Sequence, residues 1–490
     1  MEYNILTMQK IALAKLHFFF IFIIPFAIFA EGDILTATRN GDTVTVKRLI
    51  KEGSDVNITF LSEGHTYNPL TLAIENQNLE LIKILVEGGA DIDTIHAPFS
   101  DVEFSPIRNA IQSGNQDIVE YLLNRKLSQR QINSAFFESA CQGNMKWMNR
   151  FANRVQVLTY KAKSSKSRGF SVTSFVCAML NQRVETIDWF LKAGVDVNQS
   201  IFYFNSPLTI AVDYKNSEFV KTLLKKGAIC NTECLFRSAK SNIQIVSELI
   251  DLSNIERKDD DGNTLLMAAI SRNNTKDHFP IAKYLLELKN NVNETNFDGR
   301  TALLEFLSHS SYASVCTNGG IETIIQTIRL LDLKGANFEA RTQKGSRPLM
   351  FAAQCRNQVL REILKKNVSH NSEDNKGQTA LFYAYYAESY YRKQDRLQNM
   401  EDLLKYGLDI DHRNHEGMTV LLRAIEQGAG YNESFDMIRI LLRNGANVHV
   451  KDKKNRGVFE LIETEYGGII SWDTQEKNEM RELLKQYGAK

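Results

Sequence analysis

The chain has 490 residues, of which 43% are hydrophobic and 24% are charged. One globular core seldom exceeds about 300 residues, so this length predicts several domains or an elongated array. The composition excludes a mostly disordered chain and a membrane protein with many spans. With 59 Lys and Arg against 58 Asp and Glu, the net charge of +1 gives no electrostatic reason to expect nucleic acid as a partner.

The first thirty residues differ from the rest of the chain. Lys10 and Lys15 precede an apolar run that ends at Ala30, and the polar Glu31 follows directly. This pattern is typical of a secretory signal cleaved between Ala30 and Glu31. The run is short for a membrane-spanning helix, which needs about 20 apolar residues. We therefore expect an exported chain, with a membrane anchor formed by residues 10–30 as the alternative.

Six cysteines in a chain of this length are too few for a disulfide framework. Four of them stand alone in the sequence: Cys141, Cys177, Cys316 and Cys355. Cys230 and Cys234 are close enough for a local disulfide, which stays an alternative to isolated buried thiols, the interpretation that we favour. A zinc site would need two further ligands at a matching spacing, and none is visible.

A repeated phrase runs through the chain after residue 31. Each copy has three apolar residues spaced i, i+3, i+4, which form one stripe on a helix. The trios include Ile82/Leu85/Val86, Val119/Leu122/Leu123, Ile187/Phe190/Leu191, Val220/Leu223/Leu224, Val246/Leu249/Ile250 and Ile438/Leu441/Leu442. A glycine closes most copies, where it supplies the left-handed residue that ends a helix. These glycines are Gly53, Gly89, Gly194, Gly227, Gly335, Gly407, Gly445 and Gly488.

A second phrase opens each unit and predicts a helix start. It reads Asn68-Pro69-Leu70 in one unit and Thr264-Leu265-Leu266 in another. Asn, Ser or Thr caps a helix, and Pro suits its first position because the missing N–H costs nothing there. Later units add a turn two residues ahead, such as Asp298-Gly299. The two phrases together predict a helix pair in each unit.

This combination resembles the ankyrin repeat family, whose unit is about 33 residues with a turn, two helices and a Gly-Ala-Asp-Val-Asn ending. The resemblance covers residues 31–490 and implies an all-α solenoid of about thirteen stacked helix pairs with hairpin tips. The units begin near residues 33, 66, 104, 131, 170, 205, 232, 261, 298, 344, 376, 416 and 455; those near 131 and 232 are degenerate. Inserts are expected at 155–169, 308–320, 386–398, 427–434 and 464–478.

The sequence departs from the family at the histidine that follows the Thr-Pro-Leu phrase. Thr71, Arg108, Thr209 and Met350 stand at that position. The resemblance therefore does not imply, at these positions, the side-chain hydrogen bonds that the family histidine makes between neighbouring units.

The family resemblance implies a non-catalytic scaffold that binds a protein partner through its concave face and turn tips. We expect a monomer with no cofactor, no metal and no nucleic acid partner, and contact with a membrane only if the N-terminal segment is retained. Family members with a secretory signal point to a periplasmic location, with secretion as the alternative. A secreted factor that acts on a host protein and a membrane-tethered adaptor remain rival functions.

Possible catalytic and ligand-binding motifs are few. The chain has no phosphate-binding G-x-x-x-x-G-K-S/T loop, no H-E-x-x-H and no G-x-S-x-G. His412 and His415 lie in a turn, and Asp259 to Asp261 lack the alternating spacing of a calcium loop. The basic insert at 155–169 could bind phosphate or an anionic surface, although a solvated loop is the simpler interpretation.

The turn tips of the N-terminal half carry apolar residues with little core to enter. Exposed aromatic clusters often mark binding sites. The candidate partner-binding residues are Phe60, Leu61, Phe99, Ile201, Phe202, Tyr203, Phe204, Tyr390 and Tyr391. The last two belong to a tyrosine cluster that begins at Tyr383 in a helix, so part of this cluster is expected in the core.

Three asparagines at unit ends match the N-glycosylation pattern: Asn57, Asn198 and Asn293. All three belong to the repeated ending itself, which makes them weak evidence for glycans.

Overall fold

The computed structural model describes residues 33–62, 65–93, 105–155, 161–163, 171–199, 206–271, 275–288, 291–308, 320–386, 393–427, 434–463 and 474–490. Within these ranges the regular structure is helical apart from two short antiparallel hairpins. Thirteen helix pairs follow one another, one for each predicted unit, and we number them repeats 1 to 13. The predicted all-α repeat fold is confirmed.

Repeats 1 to 6 contain α1 (Ile34–Arg39) and α2 (Thr43–Lys51), α3 (Pro69–Glu75) and α4 (Leu79–Glu87), α5 (Pro106–Ser113) and α6 (Gln116–Leu123), α7 (Gln129–Gln142) and α8 (Met145–Ala152), α9 (Ser174–Leu180) and α10 (Val184–Lys192), and α11 (Pro207–Asp213) and α12 (Ser217–Lys225).

The C-terminal repeats continue the same order. Repeats 7 to 13 contain α13 (Thr232–Ser238) and α14 (Ile243–Leu249), α15 (Leu265–Ile270) and α16 (Thr275–Glu287), α17 (Ala302–Ser308) and α18 (Ile321–Leu333), α19 (Pro348–Ala352) and α20 (Asn357–Leu364), α21 (Ala380–Tyr386) and α22 (Lys393–Tyr406), α23 (Val420–Glu426) and α24 (Ser434–Arg443), and α25 (Val458–Ile462) and α26 (Thr474–Gln486). Helices α22 and α26 begin inside segments that the sequence analysis assigns to inserts.

Two hairpins precede repeats 2 and 5. In the first, β1 (Phe60–Ser62) pairs with β2 (His65–Tyr67), and Phe60 lies opposite Tyr67. In the second, β3 (Lys161–Lys163) pairs with β4 (Ser171–Thr173), and Lys161 lies opposite Thr173.

The chain divides into two compact parts. The first contains the residues up to 211 together with 221–228, and the second contains 212–220 and 229–490. In each part the first helices of successive repeats pack against one another in one row. In the second part the second helices form another such row. Each repeat thus buries its apolar stripe against its neighbours, as expected for a unit too small to form its own core.

The apolar stripes predicted from the sequence form this core. In all six trios the first two residues are buried, Ile82 and Leu85 among them, each with no exposed surface. The third residue is half-buried in three trios, at Val86, Leu191 and Leu224. The i+4 position therefore lies at the edge of the stripe in those helices.

The predicted caps and glycines also take their expected conformations. Asn68 Oδ1 accepts from the Thr71 backbone N–H at 2.8 Å, which closes the first turn of α3. All eight glycines that end the second helices have positive φ, between 82° at Gly335 and 99° at Gly407. Only glycine adopts this region without a steric cost, so the repeated glycine marks a backbone requirement.

The turn tips of repeats 8 to 13 are joined by backbone hydrogen bonds. Each tip from repeat 9 to repeat 13 donates one N–H to a carbonyl of the preceding tip, at 2.8–3.1 Å. The donor–acceptor pairs are Phe297 to Asp261, Gln343 to Asp298, Asn375 to Lys344, His415 to Lys376 and Lys453 to Glu416. This tip ladder fixes the register of one tip on the next, which the sequence does not reveal.

The expectation of isolated buried thiols is wrong. Cys141 is bonded to Cys177, and Cys230 is bonded to Cys234, with Cα atoms 5.0 and 5.2 Å apart. Cys355 is also disulfide-bonded, while Cys316 lies outside the described residues. Sequence spacing missed the first pair because its members are 36 residues apart and meet only when α7 packs on α9.

The two disulfides with described partners both involve degenerate repeats. In repeats 4 and 7 the first helix follows the preceding repeat without an intervening hairpin, because only residues 124–128 and 226–231 connect them. The bond from Cys141 to Cys177 joins α7 to α9, and the bond from Cys230 to Cys234 fastens the connecting segment to the first turn of α13. Each of these two disulfides thus involves a repeat whose first helix is not preceded by a hairpin.

Candidate functional site

Most of the binding residues predicted from the sequence lie outside the described residues. These are Phe99, Ile201, Phe202, Tyr203, Phe204, Tyr390 and Tyr391, and the same holds for Ala30 and Glu31 at the predicted cleavage site. Leu61 lies in β1, and its side chain is not among the described ones. None of the helices in the described ranges combines the length and apolar character needed to cross a bilayer.

Phe60 is the predicted contact residue whose side chain is described. Its ring stacks on Tyr67 across the hairpin, with centroids 5.4 Å apart, and the Arg39 guanidinium lies 5.6 Å from its centroid. Phe60 is half-buried as a result. Its ring therefore stabilises its own hairpin.

A cluster of half-exposed aromatic side chains lies on the first helices of repeats 10 and 11. It consists of Phe351 on α19 and Tyr383 and Tyr386 on α21, and we call it the aromatic stripe. The rings of Phe351 and Tyr383 meet edge to face, with centroids 6.1 Å apart. Tyr385, between the two tyrosines, is only 2% exposed and belongs to the core. The tyrosine cluster therefore divides between core and surface, as the sequence analysis expects.

Hydrogen bonds tie the aromatic stripe to the turn tips. The Tyr383 hydroxyl donates to Asp374 Oδ2 at 2.9 Å and lies 2.7 Å from Ser346 Oγ. Burial raises the pKa of Tyr383 further above its usual value, so the hydroxyl stays protonated. Asp374 and Ser346 belong to the tips of repeats 11 and 10, so these hydrogen bonds anchor Tyr383 to both tips.

Paired charges flank the aromatic stripe. Arg347 pairs with Glu339, and Arg423, whose side chain is 8% exposed, pairs with Glu416 and with Glu426. The surroundings raise the pKa of Arg423 despite its burial, because Tyr386, Glu426 and Glu416 lie nearby. Arginine and aromatic residues together are enriched in the centres of protein interfaces.

The possible ligand-binding residues in the tips have structural partners. His412 Nε2 lies 3.0 Å from the Gly377 carbonyl oxygen, and the His415 backbone N–H donates to the Lys376 carbonyl. Asp259 accepts from the backbone N–H groups of Asp261 and Asn263 within its own turn. Among the described side chains, no group of three or more His, Cys, Asp or Glu is placed to hold a metal ion.

Sequence profiles of a known family match this chain and agree with its fold. A sequence profile described as ankyrin repeats (3 copies) matches residues 34–134 and 235–317, and one described as ankyrin repeats (many copies) matches residues 389–442. The chain belongs to the ankyrin repeat family. This agrees with the thirteen helix pairs, their glycine endings and their hydrogen-bonded tips.

Three curated relatives illustrate the range of proteins that contain similar sequence. An ankyrin repeat protein of Fowlpox virus (strain NVSL) is 31% identical over 143 residues, covering 28% of this chain and 39% of the relative. BRCA1-associated RING domain protein 1 of Caenorhabditis elegans is 26% identical over 222 residues, covering 42% and 30%. The L-asparaginase of Dirofilaria immitis is 27% identical over 159 residues, covering 32% and 26%. The chain thus spans less than two fifths of each of these relatives.

One contact between ankyrin repeats replaces a bond lost with the family histidine. At the histidine position of repeat 3, Arg108 Nε donates to Glu138 Oε2 of repeat 4 at 3.0 Å. The two side chains are 13% and 6% exposed, and the Arg108 guanidinium lies 5.5 Å from the Phe137 centroid. Repeat 3 therefore has a polar bond to its neighbour at the position of the family histidine.

Phe351 is a surface residue that the sequence analysis missed. It lies four residues after the helix-start position of its repeat, as Tyr383 does in the next repeat. Comparing that one position across the ankyrin repeats would have found both residues. Whether each is exposed depends on the neighbouring repeat, so the sequence alone gives only their alignment.

Proposed function

We propose that this ankyrin repeat chain is an exported, non-catalytic scaffold that binds a protein partner through its first-helix row and turn tips. The observation that carries the proposal is the aromatic stripe, in which Phe351, Tyr383 and Tyr386 lie half-exposed beside paired arginines. Large rigid rings supply contact area at a small entropic cost, which is why they dominate the binding energy of many protein interfaces.

The chain's relatives do not alter this proposal. The L-asparaginase match covers about a quarter of that protein, 26% of its length, so we do not extend its activity to this chain. The apolar tip at 201–204 stays a second candidate contact region.

The disulfides support export. Bonds such as that from Cys141 to Cys177 persist in oxidising compartments and are rare in the reducing cytosol. They agree with the secretory signal expected at residues 1–30. The periplasm is the compartment that we propose, and secretion to act on a host protein is the rival.

Binding is tested by differential affinity capture from envelope and secreted fractions. We expect a partner recovered with the wild-type chain to be lost with the F351A/Y386A variant. The matched control is Leu333→Ser, because Leu333 is apolar and 81% exposed but lies at the end of α18 in the second-helix row. Equal recovery by the stripe variant would contradict this placement of the site, and a parallel Phe202→Ser/Tyr203→Ser/Phe204→Ser variant would then locate binding at the other tip.

Export is tested by cell fractionation and sequencing of the mature N-terminus. We expect a soluble chain outside the cytoplasm that begins at Glu31. A membrane fraction that retains Lys10 to Ala30 would instead support the tethered adaptor. Recovery of the chain in the medium would favour the factor that acts on a host protein.

A further inference from the structure

Four lysines stand exposed on the turn tips of repeats 10, 11 and 13. They are Lys344 in repeat 10, Lys376 in repeat 11, and Lys453 and Lys454 in repeat 13. None of the four forms an ion pair with a residue in the described ranges. We call them the tip lysines.

The tip ladder holds these residues in one row. The Asn375 N–H donates to the Lys344 carbonyl at 2.9 Å, and the His415 N–H donates to the Lys376 carbonyl at 3.0 Å. The Lys453 N–H donates to the Glu416 carbonyl at 3.0 Å, which brings repeat 13 to repeat 12. Because these backbones are hydrogen-bonded, the backbone that carries the lysines needs little further ordering when a partner binds.

The acidic side chains of these tips lie beside basic groups: Glu339 pairs with Arg347, Asp452 pairs with Arg456, and the 47% exposed Glu373 lies 3.5 Å from His412 Nε2. Glu416, at the tip of repeat 12, is 67% exposed and pairs with the buried Arg423. The tips of repeats 10 and 13 therefore carry more positive than negative side chains, and Lys376 adds a positive charge at the tip of repeat 11. The sign reverses at repeats 8 and 9, where Asp260, Asp261 and Asp298 are exposed.

From this charge pattern we propose that the partner docks an acidic segment of its chain along the tips of repeats 10 to 13. The proposal rests on the proposed scaffold function and names the chemistry of its partner. Acidic side chains of the segment pair with the tip lysines, and its apolar side chains contact the aromatic stripe. The aspartates of repeats 8 and 9 repel a longer acidic segment, which fixes its register.

The dimensions of the row set the length of that segment. Adjacent first helices pack about 8–10 Å apart, so the tips of four repeats span about 30 Å. An extended chain advances about 3.3 Å per residue, so about nine residues cover the row. A peptide of about twelve residues is therefore long enough to contact all four tips.

Selection from a random twelve-residue peptide display library on the full, disulfide-bonded chain tests the proposal. We expect the selected peptides to be rich in Asp and Glu with interspersed aromatic or aliphatic residues. Their affinity is measured by fluorescence anisotropy at about 20 and 150 mM salt, and the dissociation constant is expected to rise about tenfold with salt.

A double charge-reversal variant tests whether the selected peptides bind at the tip lysines. We expect K344E/K376E to weaken the selected peptides at least about tenfold. The control K283E/K334E makes the same charge change on exposed lysines of α16 and the end of α18, and should leave binding within about twofold.

The remaining outcomes overturn the proposal in distinguishable ways. Selected peptides that are neutral, that ignore K344E/K376E and that lose binding to F351A/Y386A would refute the acidic partner and retain the scaffold function. Peptides that bind elsewhere, or the absence of any binder, would refute both. An oligodeoxythymidine that competes as strongly as the selected peptides would show that the surface recognises any polyanion and not an acidic protein segment.

Discussion

At the scale of single residues, Glu362 joins repeats 9 and 10. Its side chain is 5% exposed, and Oε1 accepts from Arg329 Nε at 3.0 Å, while Oε2 accepts from Lys365 Nζ at 3.0 Å. These donors lower the pKa of Glu362 from its ordinary value of 4.5 to about 2. A carboxyl group with a lowered pKa stabilises the fold above its ordinary pKa, and the stabilisation is lost as the pH falls towards the folded-state value.

The pH dependence of stability should therefore change in Glu362→Gln. We expect this variant to unfold at a lower temperature than the wild type at pH 7, by an amount worth about 1 kcal/mol, because an amide cannot replace the ion pairs. The difference should shrink between pH 4.5 and pH 2, as the wild-type carboxyl group becomes protonated. Thermal unfolding followed by circular dichroism measures both effects.

The control for this prediction is Glu401→Gln. Glu401 and Lys405 are 42% and 71% exposed, and their charged atoms are 3.8 Å apart. Such an exposed pair contributes little to stability. A pH-independent difference between Glu362→Gln and the wild type would contradict the assigned ion pairs.

The asparagines in the three glycosylation patterns have a structural role. Asn293 Nδ2 donates to the Gly335 carbonyl of the next repeat at 2.8 Å, and its Oδ1 accepts from the Asn337 N–H at 2.7 Å. Asn57 makes the equivalent pair of bonds to Gly89 and Asp91. The pattern in the sequence is therefore explained by a bond between repeats.

Separate replacements of Asn293 and Thr295 should distinguish the structural role of Asn293 from a role in glycosylation. We expect Asn293→Ala to lower the free energy of unfolding by about 1–2 kcal/mol, because two inter-repeat bonds are lost. Thr295→Ala removes the glycosylation pattern but keeps the bonds, so urea unfolding should show little change. Equal effects of the two variants would argue against the structural role.

At the scale of the elements, the tip ladder distinguishes two sets of glycines. Gly345 is a tip glycine with φ of 80°, and a Cβ placed there would lie 2.8 Å from the Asn375 backbone nitrogen. Gly445 ends a second helix with φ of 88°, and a Cβ there would meet nothing within 4 Å. Both need a left-handed backbone, but only Gly345 lies against the next repeat.

The alanine variants of these glycines should differ in stability. We expect Gly445→Ala to cost about 1–2 kcal/mol through its backbone conformation alone. Gly345→Ala should cost more, because the added methyl group also displaces the adjacent tip. Hydrogen exchange should show faster exchange of the Asn375 amide in Gly345→Ala and unchanged exchange in Gly445→Ala. Unchanged protection of Asn375 in both variants would refute the ladder as a source of order.

At the scale of the whole molecule, the disulfides differ in how much of the chain they close. The bond from Cys141 to Cys177 spans 36 residues and includes the insert before repeat 5, whereas the bond from Cys230 to Cys234 spans four. Chain-entropy arguments assign about 4 kcal/mol to the first loop and about 2 kcal/mol to the second. The longer loop therefore constrains the unfolded chain more strongly.

Removing the longer-range disulfide should destabilise the chain more than removing the shorter one. We expect C141A/C177A to lower the urea midpoint more than C230A/C234A does, with the larger loss in repeats 4 and 5 by hydrogen exchange. Mass spectrometry without reductant first verifies that both bonds form in the chain isolated from cells. Free thiols in that material would contradict the assigned bonds and weaken the case for export.

The number of repeats, the family and the positions of most helices follow from the amino-acid sequence alone. These features depend on contacts within one unit: Asn68 caps its own helix, and Gly335 permits a left-handed turn whatever lies beside it. The apolar trios also fix which face of each helix is buried, since a 3.6-residue period leaves one choice.

Features that depend on contacts between two repeats are visible only in the tertiary structure. The bond from Cys141 to Cys177, the contact of Arg108 with Glu138 and the exposure of Phe351 all require residues about 30 or more positions apart to meet. The row of tip lysines arises in the same way, because hydrogen bonds between tips set which side chains become neighbours. A local pattern cannot encode that register; the packing of one repeat on the next selects it.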